Sequence, residues 1–215
     1  MHILPIDVSV TTSNKTPVWP GHQRVNISQT ASHDNGDIAE ITHINMGAHT
    51  ATHLDAPRHF VPGGGLVDAL DLSTLIGPCH VHHVTCKGVL TAEYFASQDL
   101  PNTCTRLLLK IDDHAGKLYQ PEFYEDYTAI DHTAATYLIN RGLKLIGTDY
   151  LSIGPYHGGN VETHQALLGN DVIIVEGLDL SKVDEGSYQL ICLPIRIACD
   201  GSPCRAVLMP TIGAS

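Results

Sequence analysis

Apolar runs in the second half of the chain predict alternating helices and strands. Residues 106–111 and 172–176 are almost continuously apolar over the length of a strand, which is typical of strands buried on both faces. Helical patterns cover residues 133–141 and about 161–168, and Gly142 ends the first of these helices. We therefore predict βα units in this half of the chain.

The first half of the chain and its last segment instead show the pattern of strands with one exposed face. Residues 38–46 alternate between apolar and polar side chains, and Ile38, Ile44 and Met46 are the expected core positions. Residues 204–210 predict a closing strand. Strands first and βα units later favour an α/β fold with a mixed sheet, part of whose surface is built from antiparallel strands.

Composition favours one domain that spans residues 1–215. Apolar residues make up 43% of the chain and are evenly spread, without a flexible linker or an internal repeat. The formal net charge of −11 disfavours nucleic acids and anionic membranes as partners. Because the chain shows no signal-peptide pattern and its six cysteines form no Cys-x-x-Cys pair, we expect a cytoplasmic protein.

One segment, residues 49–60, concentrates side chains that bind metal ions. It contains His49, His53, Asp55 and His59, and neutral imidazole and carboxylate are ligands that zinc, manganese and similar ions accept. A chain with 14 histidines holds about one His-x-x-x-His pair by chance. The added carboxylate and the small neighbouring residues therefore favour a metal site over a structural cluster of histidines.

The spacing within this segment requires the chain to bend. On a straight strand the segment from His49 to Asp55 would cover about 20 Å, which is too far for one ion. A helical turn would bring His49 and His53 within about 5–6 Å of each other, and Pro57 would stop that turn so that Asp55 lies on an extended exit. We therefore predict one helical turn, a break and an extended segment, with His59 next to the metal site.

Two later residues can supply a second set of ligands. His164 lies on the predicted helix, and Glu176 lies at the carboxyl end of the following strand, where α/β sheets tend to bind ligands. On its own, Glu176 would be an ordinary acid at the end of a strand. By contrast, His80, His82 and His83 on the strand-like segment 79–84 have no carboxylate near them in sequence. We interpret these three histidines as residues of a strand face and not as a metal cluster.

The run from His49 to Phe60 resembles the His-x-Gly-Thr-His-x-Asp-x-Pro-x-His signature of the cyclase-type metal hydrolases. This family includes bacterial kynurenine formamidase and isatin hydrolase. Further landmarks of the family occur in order along nearly the whole chain. They are Trp19-Pro20-Gly21, Gly147-Thr148-Asp149 with Ser152, the spacing from His164 to Glu176, and residues 201–207.

The resemblance implies a two-metal centre in a swivelling β/β/α domain that usually forms a homodimer. One ion would be held by His49, His53 and Asp55. Asp55 would bridge to a second ion held by His164 and Glu176. Zinc is the expected ion and manganese the alternative.

The resemblance also implies a function for His59 as the catalytic acid/base and for Trp19 as a wall of the substrate pocket. The implied reaction is hydrolysis of the C–N amide bond of a small molecule, with N-formylkynurenine or another aryl formamide as the first candidate. Opening of an isatin-like cyclic amide or of a lactone is the alternative within this chemistry. A metal-binding protein without catalysis is the alternative from another class, whereas a serine hydrolase is disfavoured because no Gly-x-Ser-x-Gly motif occurs.

Three positions depart from the family pattern. Ala51 stands where glycine is common, His22 where an acid is usual and Gly154 where aspartate often occurs. The implied metal ligands show no departure. These differences leave the polarity of the pocket and the choice of substrate open.

Overall fold

An eight-stranded mixed sheet forms the centre of the fold in the computed structural model, which describes residues 4–211. The strands are β1 (Ile6–Asp7), β2 (Asn26–Ala31), β3 (Ile41–Asn45), β4 (His53–Asp55), β5 (Ile76–Val84), β6 (Val89–Leu90), β7 (Arg106–Ile111), β8 (Ala129–Ile130), β9 (Leu145–Thr148), β10 (Ile173–Glu176), β11 (Gly186–Pro194) and β12 (Gly201–Pro210). The α-helices are α1 (Leu72–Leu75), α2 (Ala92–Ala96), α3 (His132–Asn140) and α4 (Asn160–Leu168). The predicted α/β fold with a mixed sheet is confirmed.

The sheet closes on itself through its shortest internal strand. Its order is β1-β12-β11-β5-β7-β9-β10-β4, and β4 also pairs with β12. The neighbouring pairs from β5 through β7 and β9 to β10 are parallel, whereas β4 is antiparallel to both of its neighbours. The three residues of β4 are therefore held on both edges by backbone hydrogen bonds.

Alternate residues of the central strands enter two different apolar cores. On β7, Leu108 faces the core inside the closed sheet, while Leu107 and Leu109 face the core under the helices. On β10, Val175 faces the core inside the closed sheet, and Ile174 faces the core under the helices. Burying one such side chain stabilises the fold by about 1.5–3 kcal/mol. Burial on both faces explains why these strands have continuously apolar sequences.

The two longer helices begin and end near the predicted residues. In α3, the side chain of Asp131 accepts hydrogen bonds from the backbone N–H groups of Thr133 and Ala134, which caps the first turn. The helix is followed by Gly142 in the left-handed conformation, with φ of 87°. No helix within residues 4–211 combines the length and the apolar character that crossing a membrane requires.

The prediction that Ile38 and Ile44 belong to the core is wrong. Ile38 is 99% exposed and Ile44 is 62% exposed, while Met46 is half-buried. Strand β3 pairs only with β2 within the described part of the chain, and together they form a separate two-stranded hairpin. The alternating apolar and polar residues correctly predicted a strand. This pattern could not show that the strand does not pack on an apolar core.

Candidate metal centre

The segment from His49 to Asp55 does not form the predicted helical turn. Residues 48–52 are irregular, Ala51 has a left-handed φ of 58°, and the chain becomes extended at β4. Pairing of β4 with strands on both of its sides overrides the local spacing that favours a helix. His53 and Asp55 lie two residues apart on a strand, so both point away from Leu54 and the inner core.

Pro57 also acts differently from the prediction. It does not end a helix but starts a short 3-10 helix, Pro57–His59, at a position that suits its fixed φ. This turn redirects the chain so that the ring of His59 stacks on the ring of His49, with centroids 3.7 Å apart. His59 therefore lies beside the candidate metal ligands, as predicted.

Two strands and one helix bring four potential ligands together. His53 and Glu176 occupy directly opposed positions of β4 and β10, and His53 Nε2 lies 3.4 Å from Glu176 Oε2. The same nitrogen lies 3.5 Å from Asp55 Oδ1. His164 on α4 places its Nε2 3.3 Å from Glu176 Oε1 and 3.9 Å from Asp55 Oδ2. All four residues are buried.

The spacing of these atoms fits a divalent metal ion better than a network of hydrogen bonds. Ligand bonds of about 2.0–2.1 Å in tetrahedral geometry place neighbouring ligand atoms about 3.3 Å apart. The four distances, from 3.3 to 3.9 Å, begin near this value and lie at or beyond the limit of good hydrogen bonds. Among the described residues, His53 Nε2 and Asp55 Oδ2 are buried and have no hydrogen-bond partner. Such orphaned atoms are costly unless a ligand satisfies them.

The far side of each imidazole is held by the backbone. His53 Nδ1 lies 2.9 Å from the carbonyl oxygen of Ala51, and His164 Nδ1 lies 2.8 Å from the carbonyl oxygen of Asn160. A ring that donates its Nδ1–H to a carbonyl presents an unprotonated Nε2, which is the form that binds metal. The irregular turn at Ala51 thus orients one of the candidate ligands.

His49 lies next to this four-residue cluster and contacts it through Asp55. Its Nδ1 lies 2.7 Å from Asp55 Oδ1, and its Nε2 lies 2.9 Å from Asp200 Oδ2. Asp55 is therefore shared between two groups of residues that could each hold an ion, one with His49 and His59 and the other with His53 and Glu176.

Asp200 is the main component of the site that the sequence did not reveal. Its Oδ2 contacts one nitrogen of each of the two stacked rings, 2.9 Å from His49 Nε2 and 3.2 Å from His59 Nδ1. Asp200 comes directly before Gly201, the start of a recognised landmark, and this adjacency is the only signal in the sequence. Because the carboxylate arrives from the far end of the chain, no local spacing could have indicated it.

The carboxylates change the proton affinity of the neighbouring imidazoles. Burial lowers the pKa of His49, but hydrogen bonds to Asp55 and Asp200 outweigh burial and raise the pKa to about 9. Burial also opposes protonation of His164, yet the adjacent carboxylate of Glu176 raises the pKa of His164, and the imidazole in turn lowers the pKa of Glu176. The site therefore stabilises positive charge, which a divalent cation can supply in place of protons.

A cavity of about 150 Å³ opens onto this site. Trp19 lies on its wall, as predicted, and the indole contacts Phe123 and Tyr156 with ring centroids 5.0 and 5.4 Å away. The other lining residues are Pro17, Val18, His22, His49, His53, His59, Phe60, Leu151, Ser152, Asn160, His164 and Glu176. The cavity thus joins an aromatic wall to the candidate metal ligands.

His22 and Gly154, two of the departures from the family pattern, differ in their relation to the cavity. His22 lines it, so an imidazole replaces an acid on the wall. Gly154 does not line it, and its carbonyl oxygen instead accepts hydrogen bonds from Tyr127 and from the side chain of Asn160. A Cβ at Gly154 would lie 3.0 Å from Asn160 Cα, so a larger residue here would crowd the start of α4.

Comparisons with known proteins show the family and the fold of this chain. A model of the family described as "Putative cyclase" matches residues 6–155. The kynurenine formamidase of Erythrobacter litoralis is 34% identical over 205 residues, which cover 94% of this chain and 92% of that protein. A solved structure of a potential metal-dependent hydrolase with cyclase activity superposes with a TM-score of 0.83 at 27% identity, over 98% of this chain and 99% of that one. An isatin hydrolase bound to the product analogue thioisatinate has the same fold, with a TM-score of 0.83 at 19% identity over 97% and 92% of the two chains.

Proposed function

Because the chain belongs to the cyclase family, we propose that it is a metal-dependent hydrolase that cleaves the C–N amide bond of an aryl formamide, with N-formylkynurenine as the first candidate substrate. The products would be kynurenine and formate. The observation that carries this proposal is the buried His/Asp/Glu cluster with orphaned ligand atoms at one end of a cavity with an aromatic wall.

The proposed ligands are those that the family resemblance implies. His49, His53 and Asp55 would hold one ion, and Asp55, His164 and Glu176 would hold the other. The bridging position of Asp55 is supported by its two oxygens, because Oδ1 faces His49 and His53 while Oδ2 faces His164. Imidazole and carboxylate ligands suit zinc, our first choice, and also manganese.

A divalent ion held by these residues would lower the pKa of a water molecule to about 7 and polarise the amide carbonyl. The chain itself supplies the movement of protons. His59 lines the cavity and turns Nδ1 towards Asp200, so its Nε2 is free to accept a proton from water and deliver it to the departing nitrogen. Asp200 holds the His59 ring in this orientation and acts as a positioning residue.

The aromatic wall supports an aryl substrate. Trp19, Phe123 and Tyr156 contact one another edge to face or tilted, so the indole is held in place and offers a broad apolar surface to a flat ring. An aryl amine also leaves more readily than an alkyl amine. The same wall would accept an isatin-like cyclic amide, which keeps ring opening as the second candidate reaction.

We also propose that the protein is a homodimer that associates through the β2–β3 hairpin. An isolated two-stranded hairpin is marginally stable in water, and this one exposes Ile38, Ile41 and Ile44 to solvent. Contact with a second copy would cover these side chains.

A substrate panel on metal-loaded protein tests the proposed reaction. Protein reconstituted with zinc or with manganese is assayed against N-formylkynurenine, formanilide, isatin and a lactone. We expect the highest kcat/KM with N-formylkynurenine. If isatin or the lactone is preferred, the proposed substrate is wrong but the proposed metal-dependent mechanism stands. Metal binding without hydrolysis of any member would favour a metal-binding protein without catalysis.

A further inference from the structure

His80 and His82 form a second cluster of potential metal ligands outside the cavity. Both project from the same face of β5, since they lie two residues apart on a strand. His82 Nδ1 lies 3.0 Å from Glu185 Oε1, and His80 Nε2 lies 3.9 Å from the same oxygen. The fold thus supplies the carboxylate whose absence nearby in the sequence argued against a metal cluster.

The register of the sheet explains why Glu185 reaches these histidines. Gly186 at the start of β11 pairs with Val81, and Ser187 pairs with His80. Continuing this antiparallel register by one residue places Glu185 opposite His82. The pairing of Gly186 and Ser187 with β5 thus brings the preceding residue, Glu185, next to His82.

The three side chains lie close enough to share one metal ion. The two nitrogen–oxygen distances of 3.0 and 3.9 Å lie on either side of the roughly 3.3 Å that separates ligand atoms in a tetrahedral zinc site. The other nitrogen of His82, Nε2, lies 3.0 Å from the hydroxyl of Tyr94, which can accept a hydrogen bond from its N–H and orient the ring. Glu185 is half-exposed, so the fourth position of an ion would face solvent.

A simple ion pair between His82 and Glu185 accounts for only part of this arrangement. It leaves Nε2 of His80 3.9 Å from Glu185 Oε1, which is too far for a hydrogen bond. An ion between His80, His82 and Glu185 would give this nitrogen a partner.

This cluster is separate from the candidate catalytic centre. By either route around the closed sheet, at least three strand-to-strand steps separate β5 from β4. At about 4.8 Å a step, β5 and β4 are on the order of 14 Å apart along the sheet. No residue belongs to both clusters.

We propose that His80, His82 and Glu185 bind one zinc ion at a site distinct from the catalytic centre. The ion would join β5 to the turn that leads into β11. None of its ligands belongs to the catalytic centre. The zinc site can therefore exist whether or not the protein is a hydrolase.

Zinc stoichiometry tests this assignment. The parent protein, His80→Ala and Glu185→Gln are equilibrated in zinc buffers, and the bound zinc per chain is measured by mass spectrometry. We expect each variant to bind about one zinc fewer than the parent, with hydrolysis unchanged. Glu185→Gln replaces a half-exposed carboxylate with an amide of the same shape, so its loss of zinc cannot be ascribed to unfolding.

His83→Ala is the matched control, because His83 lies on the same strand but contacts Asp112 instead. It should bind as much zinc as the parent, whereas Tyr94→Phe should retain the stoichiometry and weaken the affinity about tenfold. Repeating the comparison in a Glu176→Gln background separates this site from the catalytic one. Equal zinc in the parent, His80→Ala and Glu185→Gln would overturn the proposal.

Discussion

His53 and Glu176 are directly opposed residues of the antiparallel strands β4 and β10, and their side chains meet at 3.4 Å. The pairing of two backbones therefore sets the separation of two candidate ligands. Because successive residues on a strand alternate in direction, a one-residue slip of β4 against β10 would turn the side chain of His53 to the other face, away from Glu176. The stability of the sheet and the geometry of the metal centre are thus linked.

Removing the charge of Glu176 should weaken the centre without unfolding the protein. In Glu176→Gln the amide oxygen can still accept the hydrogen bond that Ile153 N–H donates to Oε1. We expect zinc affinity to fall by more than about 100-fold, and hydrolysis to fall with it. Chelator competition and kcat/KM measure the two effects. Glu162→Gln, an exposed change on α4 near His164, is the control and should behave as the parent.

His59 and Asp200, whose side chains contact each other, should affect catalysis more than metal binding. We expect His59→Ala to lower kcat by about 10²–10⁴ while the bound metal is retained, because a general acid/base contributes on this scale. Asp200→Asn, which weakens the orientation of His59, should lower kcat by about 10–100-fold. Steady-state kinetics on protein of measured metal content test both. Unchanged kcat in Asp200→Asn would remove Asp200 from the mechanism.

A methyl group at Gly201 should disturb the site with little effect on the rest of the fold. A Cβ at this position would overlap the imidazole of His49, since three ring atoms lie within 2.9 Å of it. We expect Gly201→Ala to lose most of its hydrolytic activity and part of its bound metal. Gly65→Ala is the control because nothing lies within 4 Å of its added Cβ. Equal activity of the two variants would contradict the close packing of Gly201 on His49.

Two glycines with left-handed φ should differ strongly in their tolerance of alanine. Gly142 and Gly177 have φ of 87° and 68°, so alanine at either costs about 1–2 kcal/mol. At Gly142 the added Cβ meets nothing within 4 Å, whereas at Gly177 it overlaps the carbonyl of Ala51. We expect denaturant unfolding to show a loss of stability near this estimate for Gly142→Ala and a clearly larger one for Gly177→Ala, which should also bind metal weakly. Similar losses in both variants would refute the close approach of the two backbones.

A charge on the exposed hairpin should prevent the proposed dimer. Ile44→Lys places an ammonium group on the surface that the second copy would cover, so we expect a monomer in light scattering. Leu72→Lys changes another exposed apolar residue, on α1, and should leave the mass unchanged. A parent protein that is itself monomeric would refute the dimer without affecting the hydrolase proposal.

The chemistry of the site was more predictable from the sequence than its geometry. Ligand types, and the helix and strand that carry His164 and Glu176, followed from residue chemistry and apolar patterns, and the structure brings these residues together. The conformation around Ala51 did not follow, because a short segment with helical spacing becomes extended when strands pair with it on both sides. A left-handed alanine also explains why glycine suits this position.

Contacts between distant parts of the chain limited the remaining predictions. Asp200 reaches His49, and Glu185 reaches His82, only after the complete sheet has formed. For the same reason the exposure of Ile44 depends on what packs against the hairpin, which its own alternating pattern does not encode.

The position of β4 has a consequence for how the protein folds during synthesis. This three-residue strand pairs with β10 and β12, whose residues are translated more than roughly a hundred positions later. Contacts of such long sequence separation form slowly because large loops must close first. We therefore expect a nascent chain that ends before β12 to capture no metal at the candidate catalytic centre, so acquisition of the ion there would report completion of the whole fold.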